Sequence, residues 1–346
     1  MGQKMKLFAY LRQHFFGSIT NFILTLSIAL ILWIALRHFI DWAIINATWQ
    51  GSSTLDCNPN GACFAMISAR WHQFIYGFYP ETEYWRINFA FVLLVAGIIN
   101  FNFNKRAVYR FVSSLILALA ILLVLKGGIF LKPVSTSLWG GLFLTLFLTI
   151  GCIIGALPLA ILLALGRNSS FIVIKSCCIL FIEVIRGVPL ISILFMASVM
   201  LPLLLPQEIV VDKLLRAFVG MMCFQAAYLA EVLRGGLNSI PKGQYEAAGA
   251  LGFSYWQKIS LIILPQTFRA VIPGLVNNFI GLFKDTTLVL IIGIYDFLGI
   301  VQLATTSPQW LGTALEAYLF CAIVYWIFCF GISLYSSHLE KKLRIE

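Results

Sequence analysis

EAAGALGFSYWQKISLIILP, residues 246–265, gathers glycines, small residues, a lysine and a proline into one polar patch within a chain that is otherwise mostly hydrocarbon. What that patch is for depends on what surrounds it. The 346 residues are 60% hydrophobic and 11% charged, too little polar surface for a soluble globule of ordinary composition. A bilayer core about 30 Å thick is crossed by roughly 20 apolar residues in helix, and runs of that length recur. They predict eight spans, near residues 20–40, 87–103, 107–126, 138–165, 177–203, 214–233, 270–294 and 313–335. Asn88, Asn100, Asn102 and Asn104 make the second the least apolar. The expected fold is an all-α polytopic membrane protein.

The net charge of +10 is distributed as a membrane topology rather than as a nucleic-acid face. With the N-terminus inside, the inner segments hold Lys4, Lys6, Arg12, Lys105, Arg106, Arg110, Arg167, Lys175, Arg234, Lys242, Lys258, Arg269, Lys341, Lys342 and Arg344, a total of 15. The outer segments hold Arg37, Arg70, Arg86, Lys126, Lys132, Lys213 and Arg216, a total of 7, and both termini are expected to be cytoplasmic. The first apolar stretch, Ile19 to Ile40, exceeds the about 7–15 residues of a cleaved signal core and has no small-x-small site after it, so it reads as a retained anchor.

Two parts are expected. Residues 1–132 supply three spans and a long outer segment, Asp41 to Arg86, whose Trp42, Trp49, Trp71 and Trp85 suit a membrane surface. In LDCNPNGAC, residues 55–63, the turn chemistry of Asn58-Pro59-Asn60-Gly61 brings Cys57 and Cys63 together as a candidate disulfide on an oxidising side, against the alternative of two free thiols. Cys152, Cys177, Cys178, Cys223, Cys321 and Cys329 fall in spans as small packing residues. The four histidines have no ligand spacing, so no metal site is expected.

Residues 133–346 hold five spans, joined by short links except for residues 235–265. There, local chemistry spells helix, turn, helix. Ser239 and Pro241 mark a start, residues 242–251 form helix well, and Gly252 supplies a left-handed stop. Ser254 and Gln257 form a capping box for the next helix, which Pro265 interrupts or kinks on entering the membrane.

The pattern Glu246-Ala247-Ala248, Gly252, Ile262, Leu264-Pro265 resembles the EAA loop of permease subunits of bacterial ABC importers, with every fixed position filled. IEVIRGVPL (182–190), AYLAEVLRGGLNSIPKGQYEAAGALG (227–252) and FKDTTLV (283–289) resemble the polar amino-acid branch. The added N-terminal spans and RGVPLISILFMASVMLPLLLP (186–206) resemble the M-type permease of general L-amino-acid transporters. The resemblance covers residues 133–340 well and the N-terminal part more loosely. It implies a five-helix type I permease core with a three-helix extension, in a bacterial inner membrane. It further implies a non-catalytic subunit coupled through Glu246, Ala247, Ala248, Gly252, Ile262, Leu264 and Pro265 to a pair of ATP-binding cassette subunits. A second, different permease and a periplasmic amino-acid-binding protein complete the implied partners.

The residues alone agree that the energy source lies elsewhere. No phosphate-cradling G-x-x-x-x-G-K-[ST] loop and no Gly-Lys pair occurs, so ATP and its Mg²⁺ are expected on a partner chain and no cofactor on this one. Glu183 with Arg186, and Glu231 with Arg234, lie three apart on a helical face and are candidate structural ion pairs. Lys284 and Asp285, with Asn277, Asn278 and Thr286, interrupt the seventh span and are candidates for a polar pathway, since charge in hydrocarbon usually faces protein or water. A permease for another small polar solute is the alternative. A secondary transporter would have no use for the docking loop and often shows inverted repeats, which are not found. A membrane enzyme would need a catalytic cluster that is absent from the sequence.

Overall fold

A computed structural model describes residues 15, 17–103, 107–128, 131–206 and 209–345. Lys4, Lys6, Arg12, Asn104, Lys105 and Arg106 lie outside the described residues. Among the described residues the main helices are α1 Ile19–Ile40, α2 Ala65–Tyr76, α3 Tyr84–Phe103, α4 Ala107–Lys126, α5 Gly141–Arg167, α6 Ile172–Gly187, α7 Leu190–Leu204, α8 Lys213–Ser239, α9 Lys242–Ala250, α10 Leu264–Asp285, α11 Phe297–Thr305 and α12 Ala314–Ile345. Among the described residues no strand forms, only isolated bridges. Five helices among the described residues are long and apolar enough to cross a membrane, or six if the bent pair α6–α7 is one span. The second and third expected spans fall on the helices α3 and α4, of 20 residues each, neither of which is among those five or six.

By compactness the chain forms two units, residues 1–70 with 304–318 and residues 71–303 with 319–346. In the first, α1 is capped by Ser18, whose hydroxyl accepts from the Asn21 N–H at 3.1 Å, and none of its residues is buried. The Cys57–Cys63 disulfide is formed, with the two Cα atoms 5.5 Å apart. Asp56 closes the turn beside it by accepting from Ser52 N–H and Oγ and from Ser53 N–H. Those donors hold its carboxyl below the usual range, the Ser52 N–H foremost. Glu316, at the start of α12, is buried and accepts from the Cys63 N–H at 3.1 Å.

In the second unit α5 and α8 pack along their lengths, and small residues let them approach. A Cβ on Gly151 would meet the Phe218 ring at 2.7 Å, and one on Gly155 the Met222 sulfur at 2.5 Å, the close backbone contact by which membrane helices associate. One buried cluster surrounds Trp139, Phe143, Leu148, Met221 and Leu282 and takes in Ile87, Ala90 and Leu125, so α3 and α4 pack into the core. A second surrounds Ala156, Ala160, Ala226, Ala230, Leu233, Ile263 and Leu275.

The span expected over residues 177–203 is not one helix. The chain bends by 103° between α6 and α7. The cause is Pro189, which forces the preceding Val188 out of helix to φ −110°, ψ 134°. The sixth helix also outruns its apolar stretch: α8 continues to Ser239, so residues 235–239 belong to it and not to the loop. Gly236 makes this possible, since its missing Cβ would lie 2.3 Å from Val271 on α10. Ser239 therefore closes α8, donating to the Gly236 carbonyl at 2.7 Å, and Pro241 alone stands before α9.

Candidate functional site

The patch that opens the sequence forms a hairpin of α9 and the turns leading into α10. α9 ends as its glycine dictates: Gly252 has φ +77°, its N–H donates to the Gly249 carbonyl at 3.0 Å, and the Phe253 N–H donates to the Ala248 carbonyl at 3.2 Å. This is the double hydrogen bond of a Schellman stop. The capping box follows, Gln257 N–H to Ser254 Oγ at 3.5 Å and Ser254 N–H to Gln257 Oε1 at 2.9 Å. Helical backbone then runs from Tyr255 through a π-helical turn, Lys258–Ile263, directly into α10.

Pro265 does not end this run. Its missing N–H and bulky ring would disrupt an ordinary α-turn, and the wider π-turn ahead of it takes up the difference. Side chains serve the carbonyls there: Ser260 Oγ donates to Trp256 O at 2.7 Å, Gln266 Nε2 to Ile262 O at 2.9 Å and Thr267 Oγ1 to Ile263 O at 2.9 Å.

The two alanines have different surroundings. Ala248 is buried, whereas Glu246 and Ala247 are exposed. Beside them Leu251, Tyr255, Trp256 and Leu261 are all more than half exposed, so small and apolar groups share the outside of the hairpin. Ile262 and Leu264 are half-buried and Pro265 is exposed.

Where α5, α6 and α8 end, five charged side chains converge. Glu231 accepts from Arg167 at 3.1 Å and from Arg234 Nε at 2.9 Å, and Arg186 lies 3.7 Å away. Glu183 accepts from Arg167 at 3.0 Å. Glu183 is thus paired with Arg167 across helices and not with Arg186, its neighbour on α6. Arg186 instead stacks over the Tyr228 ring, 5.5 Å from its centroid. Arg167, which from sequence looks like an ordinary flanking charge, is the bridge between both carboxylates.

Along α10, Asn277 and Lys284 are exposed and seven residues apart, on one face with Gly281. Asn278 and Asp285 are half-buried on the next face; Asn278 Nδ2 donates to Gly274 O at 2.8 Å, and Gln225 Nε2 lies 3.4 Å from Asn278 O. Among the described residues no ion pair joins Lys284 and Asp285. Thr286 is wholly buried and gives its hydroxyl to Phe283 O at 2.8 Å, so the packing of this chain turns it away from any open lining.

A residue absent from those expectations stands at the start of α11. Asp296, wholly buried, accepts from the Gly299 N–H at 2.9 Å and from Tyr325 Oη at 3.1 Å, while Thr145 Oγ1 receives the Phe297 N–H at 3.0 Å. These bonds fasten the start of α11 to α5 and α12. An aspartate directly before a helical run is the sequence signal for such a cap.

Three comparisons with known proteins bear on this arrangement. Residues 156–345 match the family described as binding-protein-dependent transport system inner membrane component. The inner membrane amino-acid ABC transporter permease protein YhdY of Escherichia coli K12 is 46% identical over 339 residues, covering 97% of this chain and 92% of that protein. The glutamate/glutamine/aspartate/asparagine transport system permease protein BztC of Rhodobacter capsulatus is 35% identical over 406 aligned positions, covering 97% and 93%. Among solved structures, the crystal structure of an amino acid ABC transporter with histidines matches with a TM-score of 0.52 at 27% identity, over 58% of this chain and 92% of that one.

Proposed function

Because the chain belongs to the family of binding-protein-dependent transport system inner membrane components, we propose that it is a permease subunit of an ATP-driven amino-acid importer. It forms the pathway together with a second, different permease in the bacterial inner membrane, with both termini in the cytoplasm. ATP and Mg²⁺ bind to a pair of partner ATPase subunits, and a periplasmic binding protein delivers the amino acid. This chain contributes no catalytic group; it converts movement of the ATPase pair into rearrangement of its spans.

The observation that carries the proposal is the hairpin itself. A nine-residue helix with exposed Glu246 and Ala247, stopped by Gly252 and continued as unbroken helical backbone from Tyr255 into α10, is built as a lever. Small residues on its outer surface allow a partner's groove to approach closely, and the capped turn transmits displacement without bending. The substrate class is supported by relatives whose names specify amino acids, aligned over 97% of this chain.

The test is ATP-driven uptake of a panel of radiolabelled amino acids into vesicles holding the full assembly. Uptake is expected for one or more of them, and solubilised chain is expected to retain an ATPase and a second permease. Glu246→Lys and Gly252→Asp are expected to abolish uptake. Normal uptake in both variants, or wild-type vesicles that take up no amino acid, would overturn the proposal.

A further inference from the structure

The coupling helix α9 has only nine residues and carries Gly243 in its first turn, so its own backbone does little to fix its direction. At its far end the Gly252 stop ties it to the following helix, and in its middle buried Ala248 lies where α9 packs against the π-helical turn. At its near end the hold is polar. Tyr245 Oη donates to Leu237 O at 3.3 Å, and Gln266 Nε2 donates both to Gln244 Oε1 at 3.2 Å and to Ile262 O at 2.9 Å.

The orientation of this glutamine bridge is determined. A backbone carbonyl can only accept, so the Gln266 amide must present its nitrogen to Ile262 O. The second hydrogen of that nitrogen then requires an acceptor on α9, and Gln244 supplies its oxygen. The bridge stands beside Pro265, where the helical ladder has widened into the π-turn Lys258–Ile263. One side chain thus serves a carbonyl of the widened turn and fastens the coupling helix to it.

We propose that Gln266 is a positioning residue for energy coupling: its amide ties α9 to the π-helical turn ahead of Pro265, so that coupling helix and span move as one lever. The inference rests on the reading of α9 as the coupling helix. Gln266 touches neither nucleotide nor substrate and acts by holding α9 at a fixed angle to α10.

The direction of the bridge supplies a test that a general structural role would fail. In vesicles holding the full assembly, ATP hydrolysis and amino-acid uptake are measured together and expressed as uptake per ATP. Gln266→Ala and Gln266→Glu, which remove the donor, are expected to lower this ratio about fivefold, the worth of roughly one neutral hydrogen bond, with ATP hydrolysis retained. Gln244→Ala is expected to do the same. Gln244→Glu keeps the acceptor and is expected to keep the ratio, although it is the same chemical change as Gln266→Glu.

Wild-type ratios in both Gln266 variants, or equal losses in Gln244→Glu and Gln266→Glu, would overturn the inference. Should the Gln266 variants not assemble, Gln244→Ala and Gln244→Glu on the exposed helix decide the matter, and equal ratios refute it. If Glu246→Lys and Gly252→Asp also leave uptake intact, the coupling reading itself has failed. If those two uncouple while the Gln266 variants do not, only the bridge is refuted.

Discussion

Replacing Asp296 by asparagine should make the protein more stable at neutral pH, although it removes a charge that accepts hydrogen bonds. The carboxyl is wholly buried, and its hydrogen-bonding partners are backbone N–H groups, those of Gly299 and Leu298 among them, and Tyr325 Oη, none of them a cation. Burial pushes it from an ordinary 3.8 up to about 6, with those hydrogen bonds holding it back from rising further. A carboxyl raised in this way binds its proton more tightly in the folded chain than in the unfolded one. Its contribution to stability is therefore greatest below about pH 4 and is lost as pH rises through about 6. The shift of about two units corresponds to roughly 3 kcal/mol. Asparagine has nearly the same shape, keeps an acceptor oxygen for Gly299 and never ionises. Thermal unfolding of wild type and Asp296→Asn in detergent from pH 4 to pH 8 is expected to converge at the acid end. Above pH 6 the variant is expected to lead by roughly 3 kcal/mol, because the difference between the curves cancels every group common to both. A difference that stays constant with pH, or a variant less stable than wild type at pH 7, would refute the reasoning.

Glu231→Gln leaves Arg167, Arg186 and Arg234 facing one another, and is expected to cost roughly 2–3 kcal/mol in thermal unfolding. Glu183→Gln, whose side chain is 54% exposed, should cost under about 1 kcal/mol; equal costs would contradict the network. Ala248→Leu overpacks a buried site and should destabilise by about 1–3 kcal/mol, whereas Ala247→Leu should leave unfolding unchanged yet reduce uptake, so the two alanines separate by assay. Gly252→Ala meets no atom within 4 Å but must hold φ +77°; a loss of about 1–2 kcal/mol is expected from backbone strain alone, with Gly252→Asn less affected, as thermal unfolding of both would show.

The course of the chain through the α9 hairpin is legible residue by residue. Gly252, the Ser254–Gln257 box and the start at Pro241 each act over three to five residues, and each forms the hydrogen bonds its chemistry dictates. Pro265 shows the limit of such reading: a proline announces that the α-ladder must change, but a π-turn and a break are both solutions. At Pro189 the same chemistry does break the span, because Val188 is driven to extended backbone. Gly187-Val188-Pro189 carried that signal, which the mostly apolar composition of residues 177–203 hid.

The charged cluster was only partly visible. The Glu231–Arg234 pair lies within one helical turn, so spacing suffices to suggest it. Arg167 reaches Glu183 and Glu231 across separations of 16 and 64 residues, and no periodicity encodes which helix will stand beside which. The Gln244–Gln266 bridge is hidden for the same reason, since either amide looks like an ordinary polar surface residue.

The amino-acid order by itself determines that this chain lives in a bilayer, where its polar elbow falls, and how that elbow begins and ends. Those properties depend on hydrocarbon length and on backbone geometry within a few neighbours. Tertiary structure alone decides that Arg167 serves two carboxylates, and that one alanine of the pair is inside and the other outside. Each of these depends on distances between helices, which are set by how glycine and alanine faces fit together in three dimensions.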